Sequence, residues 1–174
     1  MPNRKVSDTE NKLLILHAVN RLGAVTEQQL LTFMVENEFM DYIALRLGLS
    51  ELMEGGLLRE ISHDLGLLYA LTGKGHDALH MFQTRVPHSR LTMLDELADE
   101  WRVRFRREKQ MLADFEKLPD GSFQVRLRLQ EQGEDLLDLK LNVPTHTQAQ
   151  KFADAWIAKA GYVYSAVLKA LSGE

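Results

Sequence analysis

His76 and His80 stand four residues apart, and on a helix two imidazoles at that spacing can share a metal ion. The string His-Asp-Ala-Leu-His nearly reproduces the zinc-hydrolase pattern H-E-x-x-H. Asp77, however, replaces the required glutamate with a carboxylate one methylene shorter, and no third ligand is signalled nearby. Neither metal hydrolysis nor a resident metal is expected. A second cluster is cationic: Arg102, Arg104, Arg106, Arg107 and Lys109 crowd into eight positions, and no other stretch is comparably basic. On a helix Arg102, Arg106 and Lys109 share one face, a spacing suited to successive phosphates, while Arg104 and Arg107 fall on the other flank of Trp101 and Phe105. The bland alternative is a solvated face paired with Asp99, Glu100 and Glu108.

Other chemistry is not signalled. The chain lacks G-x-G-x-x-G, the P-loop pattern and G-x-S-x-G, and Gly73-Lys74-Gly75 is too short to cradle a phosphate. Adjacent acids such as Asp99-Glu100 and Glu134-Asp135 are ordinary on solvent-facing surfaces and do not argue for glycoside hydrolysis. His17 lies in an apolar helical run and reads as a satisfied, part-buried histidine, while His88 and His146 stand at helix starts. No enzyme, catalytic residue or cofactor is expected.

These residues belong to 174 positions with 21 Lys+Arg, 25 Asp+Glu, 45% apolar residues and no cysteine. That composition excludes a disordered or collagenous chain, disulfide frameworks, zinc ribbons and thiol nucleophiles. No run approaches the roughly 18 apolar residues of a membrane span, and Met1 to Ser7 lacks a signal peptide's apolar core, so a cytoplasmic protein with no membrane partner is expected. The net charge of −4, with acids in excess over the first 83 residues, is unusual for a protein whose whole surface binds nucleic acid. Any anion-binding surface would start at the Arg102–Lys109 cluster.

The elements that must position these groups can be read from caps and periods. Ser7 or Asp8 opens a helix that ends at Gly23, and Thr26-Glu27-Gln28-Gln29 is a capping box opening a second with Leu30, Phe33 and Met34 inward. A third runs from near Asp41 to Glu54, with Ile43, Leu49, Leu52 and Met53 taken as buried, and stops at Gly55-Gly56. Leu57–Ile61 and Leu67–Leu71 flank a reversal at His63-Asp64-Leu65-Gly66 and pair as a hairpin. Thr72 caps a fourth helix ended by Pro87, and Ser89 opens a longer one with Leu91, Leu94, Leu97, Ala98, Trp101 and Phe105 on one stripe. Met111–Leu118, Phe123–Gln130 and Leu136–Val143 alternate with period two, so a three-stranded meander is expected. Pro144-Thr145 opens a last helix with Phe152, Trp156, Ala160, Val163, Val167 and Leu171 on its apolar face. An effector pocket built from Trp101, Phe105, Trp156, Tyr162 and Tyr164 is conceivable, but aromatics at helical spacing are usually core, so whether the chain takes a small-molecule effector stays unknown.

Helix, helix, helix, hairpin is the order of a winged helix-turn-helix. The reading is therefore an α+β protein with a winged helix-turn-helix domain at 1–86, a connector helix at 87–108, and an α+β domain at 109–174 whose three-stranded antiparallel sheet is packed by a long helix. The third helix would turn Tyr42, Arg46 and Ser50, with Leu47 among them, toward bases. The wing would offer His63 beside Asp64, and Arg102, Arg106 and Lys109 would approach phosphates of double-stranded DNA. Asp41, Glu51 and Glu54 surround the single Arg46, so binding is expected to be weak with a shallow salt dependence.

The phrases Leu52-Met-Glu-Gly-Gly-Leu-Leu, Leu71-Thr-Gly-Lys-Gly with Phe82-Gln-Thr-Arg-Val-Pro, and Leu139-Lys-Leu-Asn-Val-Pro followed by Trp156 are similar to those of a bacterial family of uncharacterised proteins. That family has an N-terminal winged helix and its members are described as predicted transcriptional regulators. The resemblance runs from about Asn11 to Leu171 and implies the two-part architecture and a cytoplasmic, gene-regulatory context. It carries over no catalytic residue and no ligand. The expected function is a DNA-binding transcriptional regulator acting as a homodimer. The alternative is a winged-helix module that binds protein and not DNA.

Overall fold

Five α-helices of the computed structural model, which describes residues 7–173, start where a short polar side chain satisfies a free backbone N–H group. Ser7 accepts from the Glu10 N–H at 3.2 Å and opens α1 (Asp8–Leu22), which Gly23 closes at φ 81. Thr26 and Gln29 exchange the two bonds of a capping box at the head of α2 (Glu27–Glu36). Asp41 accepts from the Ala44 N–H at 2.8 Å to start α3 (Tyr42–Glu54). Thr72 caps α4 (Gly73–Phe82), and Thr145 caps α6 (His146–Ser172).

Two antiparallel three-stranded sheets complete an α+β architecture. In the first, β1 (Val25–Thr26), β2 (Leu58–His63) and β3 (Gly66–Leu71) lie in the order β1-β3-β2, with Val25 opposite Tyr69 and Leu58 opposite Leu71. The two-residue strand β1 is invisible to periodicity, since two residues cannot show a period. A 3-10 turn at Gln83–Arg85 ends α4, so Pro87 serves as the entry to α5 (His88–Gln110) and does not terminate the preceding helix. The second sheet is a meander of β4 (Met111–Lys117), β5 (Phe123–Glu131) and β6 (Glu134–Val143), with a bulge after Leu129.

By its contacts the chain forms two compact units, one ending at Phe105 and one beginning at Arg106. The first is filled by α1 (Leu14, Ile15, Leu16, Ala18), α2 (Leu30, Phe33, Met34), α3 (Leu45, Leu49, Leu52) and α5 (Leu94, Ala98, Phe105). The edge-on chain Phe33–Trp101–Phe105, with ring centroids 5.6 and 5.5 Å apart, takes two of the aromatics considered for an effector pocket into this core. Gly75 is obligatory here, because a Cβ would stand 2.1 Å from the Leu57 carbonyl oxygen. A part-buried ion pair, Glu10 with Arg90 at 3.0 Å, ties α1 to the start of α5.

The second unit buries Val125, Leu127, Trp156 and Ala160 between the sheet and α6, and the Trp156 indole N–H donates to the Arg128 carbonyl at 2.8 Å. At 27 residues α6 is about 40 Å long, whereas the nine residues of β5 span about 30 Å. The helix outruns the sheet. Leu171, expected on the packed face, is therefore 82% exposed, and Tyr162 and Leu168 are also open.

Candidate nucleic-acid interface

The buried stripe of α3 is Leu45, Gly48, Leu49 and Leu52, a three-and-four spacing that turns residues 42, 43, 46, 47 and 50 outward. Ile43, expected to be buried, is 76% exposed. It lies two residues, or about 200°, from Leu45, so one stripe cannot hold both. Tyr42, Arg46 and Ser50 are all exposed, and Leu47 is open beside them. Close packing against α1 holds the helix: a Cβ on Gly48 would meet Ile15 Cδ1 at 2.5 Å.

The outward face is apolar and electrostatically quiet. The Arg46 guanidinium is ion-paired with Glu27 at the head of α2 and stands 6.0 Å from the Tyr42 ring centre. Glu27 also accepts from the Tyr69 hydroxyl of β3 at 3.4 Å. Burial, and secondly the charge of Glu60, push the Tyr69 hydroxyl above its ordinary pKa, with Arg46 opposing. Lys12 is bound to Glu51 at 2.6 Å, the Lys74 ammonium donates to the Gly55 carbonyl at 2.8 Å, and the Ser50 hydroxyl reaches Glu54 at 3.3 Å. Thus Arg46, Lys12 and Lys74 are each committed to a partner within the unit.

At the β2–β3 turn His63 Nδ1 accepts from the Leu65 N–H at 3.1 Å, so this ring orders its own hairpin tip. Leu65 and Leu67 are exposed there. Sequence reasoning singled out neither leucine, nor Ile43, as a surface residue. The signal that could have found Ile43 was the phase of Leu45, Leu49 and Leu52.

Arg102, Arg106 and Arg107 on α5 are exposed and make no ion pair among the described residues. Of the acids offered as partners for this band in the alternative reading, Asp99 accepts from Arg21 at 3.1 Å. Arg104 lies over the Trp101 ring at 4.9 Å. Lys109 is half-buried, and burial, then the neighbouring Arg106 charge, lower its pKa. His76 and His80 are exposed on α4, and among the described residues no three His, Asp or Glu side chains gather as a metal site. No described helix is long and apolar enough to cross a membrane.

A family model described as a domain of unknown function, DUF4364, matches residues 11–171, and the chain belongs to that family. No curated protein and no solved structure matches it.

Proposed function

Proceeding from membership of that family, we propose that the chain is a cytoplasmic DNA-binding transcriptional regulator whose residues 8–86 form a winged helix-turn-helix and which acts as a homodimer. The observation that carries the reading is the uncovered face of α3, with Tyr42, Arg46 and Ser50 exposed next in sequence to the β2–β3 hairpin. In this reading those three side chains face bases, His63 stiffens the wing, and Arg102, Arg106 and Lys109 meet phosphates. Dimerisation supplies the two half-site readers, and the overhanging end of α6, with Leu168 and Leu171 exposed, supplies an apolar seam for it.

The test is fluorescence anisotropy on sheared genomic DNA at low salt. The R102E/R106E/K109E variant binds all sequences at least about tenfold more weakly, and its log–log salt slope is shallower by about 2–3. Undiminished binding by that variant ends the phosphate assignment. Mass analysis during gel filtration reads the dimer, which L168E/L171E converts to monomer; an unchanged mass removes α6 as the seam.

A second reading has its own support. Tyr42, Ile43 and Leu47 make an apolar face with committed cations, which suits a protein partner better than a polyanion. Absence of DNA binding by the parent protein at low salt decides for this protein-interaction module.

A further inference from the structure

We propose that β6 is the edge by which two copies of this chain join, their β6 strands pairing antiparallel around a two-fold axis at Leu139 so that two three-stranded sheets become one continuous sheet. The inference rests on the homodimer of the proposed function, but on neither its DNA binding nor its α6 seam.

β6 ends the order β4-β5-β6, and among the described residues none of its main-chain groups bonds to backbone outside the ladder with β5. A ten-residue edge without proline or glycine is a ready template for another strand. Its apolar side is also partly open. Leu137, Leu139 and Leu141 stand opposite Leu129, Leu127 and Val125, on the side that carries α6, but α6 lies over β4 and β5 and only lightly over β6. Leu141 is therefore 38% exposed, and Leu137 and Leu139 are half-buried.

The occupant follows from the order of side chains. Leu137-Asp138-Leu139-Lys140-Leu141 is complementary to its own reverse. With Leu139 opposite its own copy, Leu137 meets Leu141 on the apolar side and Asp138 meets Lys140 on the other, each pair formed twice. Lys140 is exposed and makes no ion pair among the described residues. Asp138 holds Arg126 on its inner side at 3.0 and 2.8 Å, and a carboxylate has room for more than these two donors. Moving the axis one residue either way sets Asp138 against Asp138 or Lys140 against Lys140, and half that step puts leucines opposite charges. One register is thus selected. The other edge, β4, has no equivalent: axes at Ala113, Asp114 and Phe115 place Asp114 against Leu112, itself and Glu116.

The chain has no cysteine, so a single introduced thiol reports the register. Residues directly opposite in an antiparallel pair have Cα atoms about 4.5–5.5 Å apart, within the span of a disulfide. In the full chain, checked for its fold by circular dichroism, L139C is expected to crosslink to a dimer under mild oxidation at least about tenfold more than E116C on β4. Sedimentation equilibrium at low ionic strength reads the charges. K140D stays folded, because position 140 lies opposite Arg126 on β5, and it raises the dimer dissociation constant at least about fivefold. D138K/K140D, which restores opposite charges in the same register, returns that constant to within about twofold of the parent value. If the parent chain is a dimer, equal crosslinking of L139C and E116C, or indifference to K140D, overturns the inference and leaves the homodimer standing. A parent chain that is monomeric at millimolar concentration overturns both.

Discussion

α3 and α5 present opposite kinds of surface. On α3 the open residues are Tyr42, Ile43 and Leu47, and the neighbouring cations are committed: Arg46 to Glu27, Lys12 to Glu51, Lys74 to the Gly55 carbonyl. On α5, Arg102, Arg106 and Arg107 are exposed and make no ion pair among the described residues. Shape and charge are thus divided between two helices. A surface that reads a polyanion needs both, because phosphate contacts supply affinity and a seated helix supplies register. Arg102, Arg106 and Arg107 lie on the helix that follows the hairpin-containing segment.

The largest effect should come from unseating α3. Gly48→Leu drives a branched side chain into Ile15 and α1, and should cost about 2–3 kcal/mol of stability in urea unfolding, whereas Arg102→Leu on the open side of α5 leaves the midpoint in place. An unshifted Gly48→Leu midpoint would erase the distinction between a seated and an open helix.

Charge comes next. Reversing Arg102 and Arg106 together should weaken DNA binding by about tenfold or more, while Lys74→Glu, already committed to a backbone carbonyl, should change it by less than about threefold. Equal losses in anisotropy would show that the two groups of cations are not distinguished by their partners.

A smaller change sharpens the contrast. Glu27→Gln releases Arg46, and because an exposed ion pair of this kind holds only about 0.2–1 kcal/mol, DNA affinity should rise by no more than about fivefold. A fall in affinity would mean that Glu27 orients the arginine for its target.

The smallest effect belongs to the second unit. Hydrogen bonds from Arg126, at 3.0 and 2.8 Å, hold the Asp138 carboxyl below the usual carboxylate range. A depressed carboxylate stabilises the fold above its ordinary pKa, and that contribution disappears as the pH falls through the lowered value. Asp138 is solvent-screened, so Asp138→Asn should narrow the acid-unfolding difference only slightly. A large shift on that titration would mark this ladder as a structural element and not a solvated face.

Much of the architecture was legible because it is local. The Thr26–Gln29 capping box, the Thr72 and Thr145 caps, the Phe123–Leu129 alternation and the helical stripe through Leu94, Ala98 and Phe105 all stand where the residue pattern puts them. The candidate site was legible in part: Tyr42, Arg46 and Ser50 face outward as expected, but Ile43 joins them, and the ion pair that occupies Arg46 had no local signature. The pairing of β1 with β3 was hidden for the same reason, since its registers link residues more than forty positions apart.

By itself, then, the order of amino acids determined where helices and strands begin, end and turn their apolar sides, because caps and periods act through neighbours a few residues away. Only the tertiary structure decided that Glu27 neutralises Arg46 across 19 positions, that His17 meets Asp95 across 78, and that α6 outreaches its sheet. Such distances arise when segments remote along the chain are packed together, and no local period encodes them.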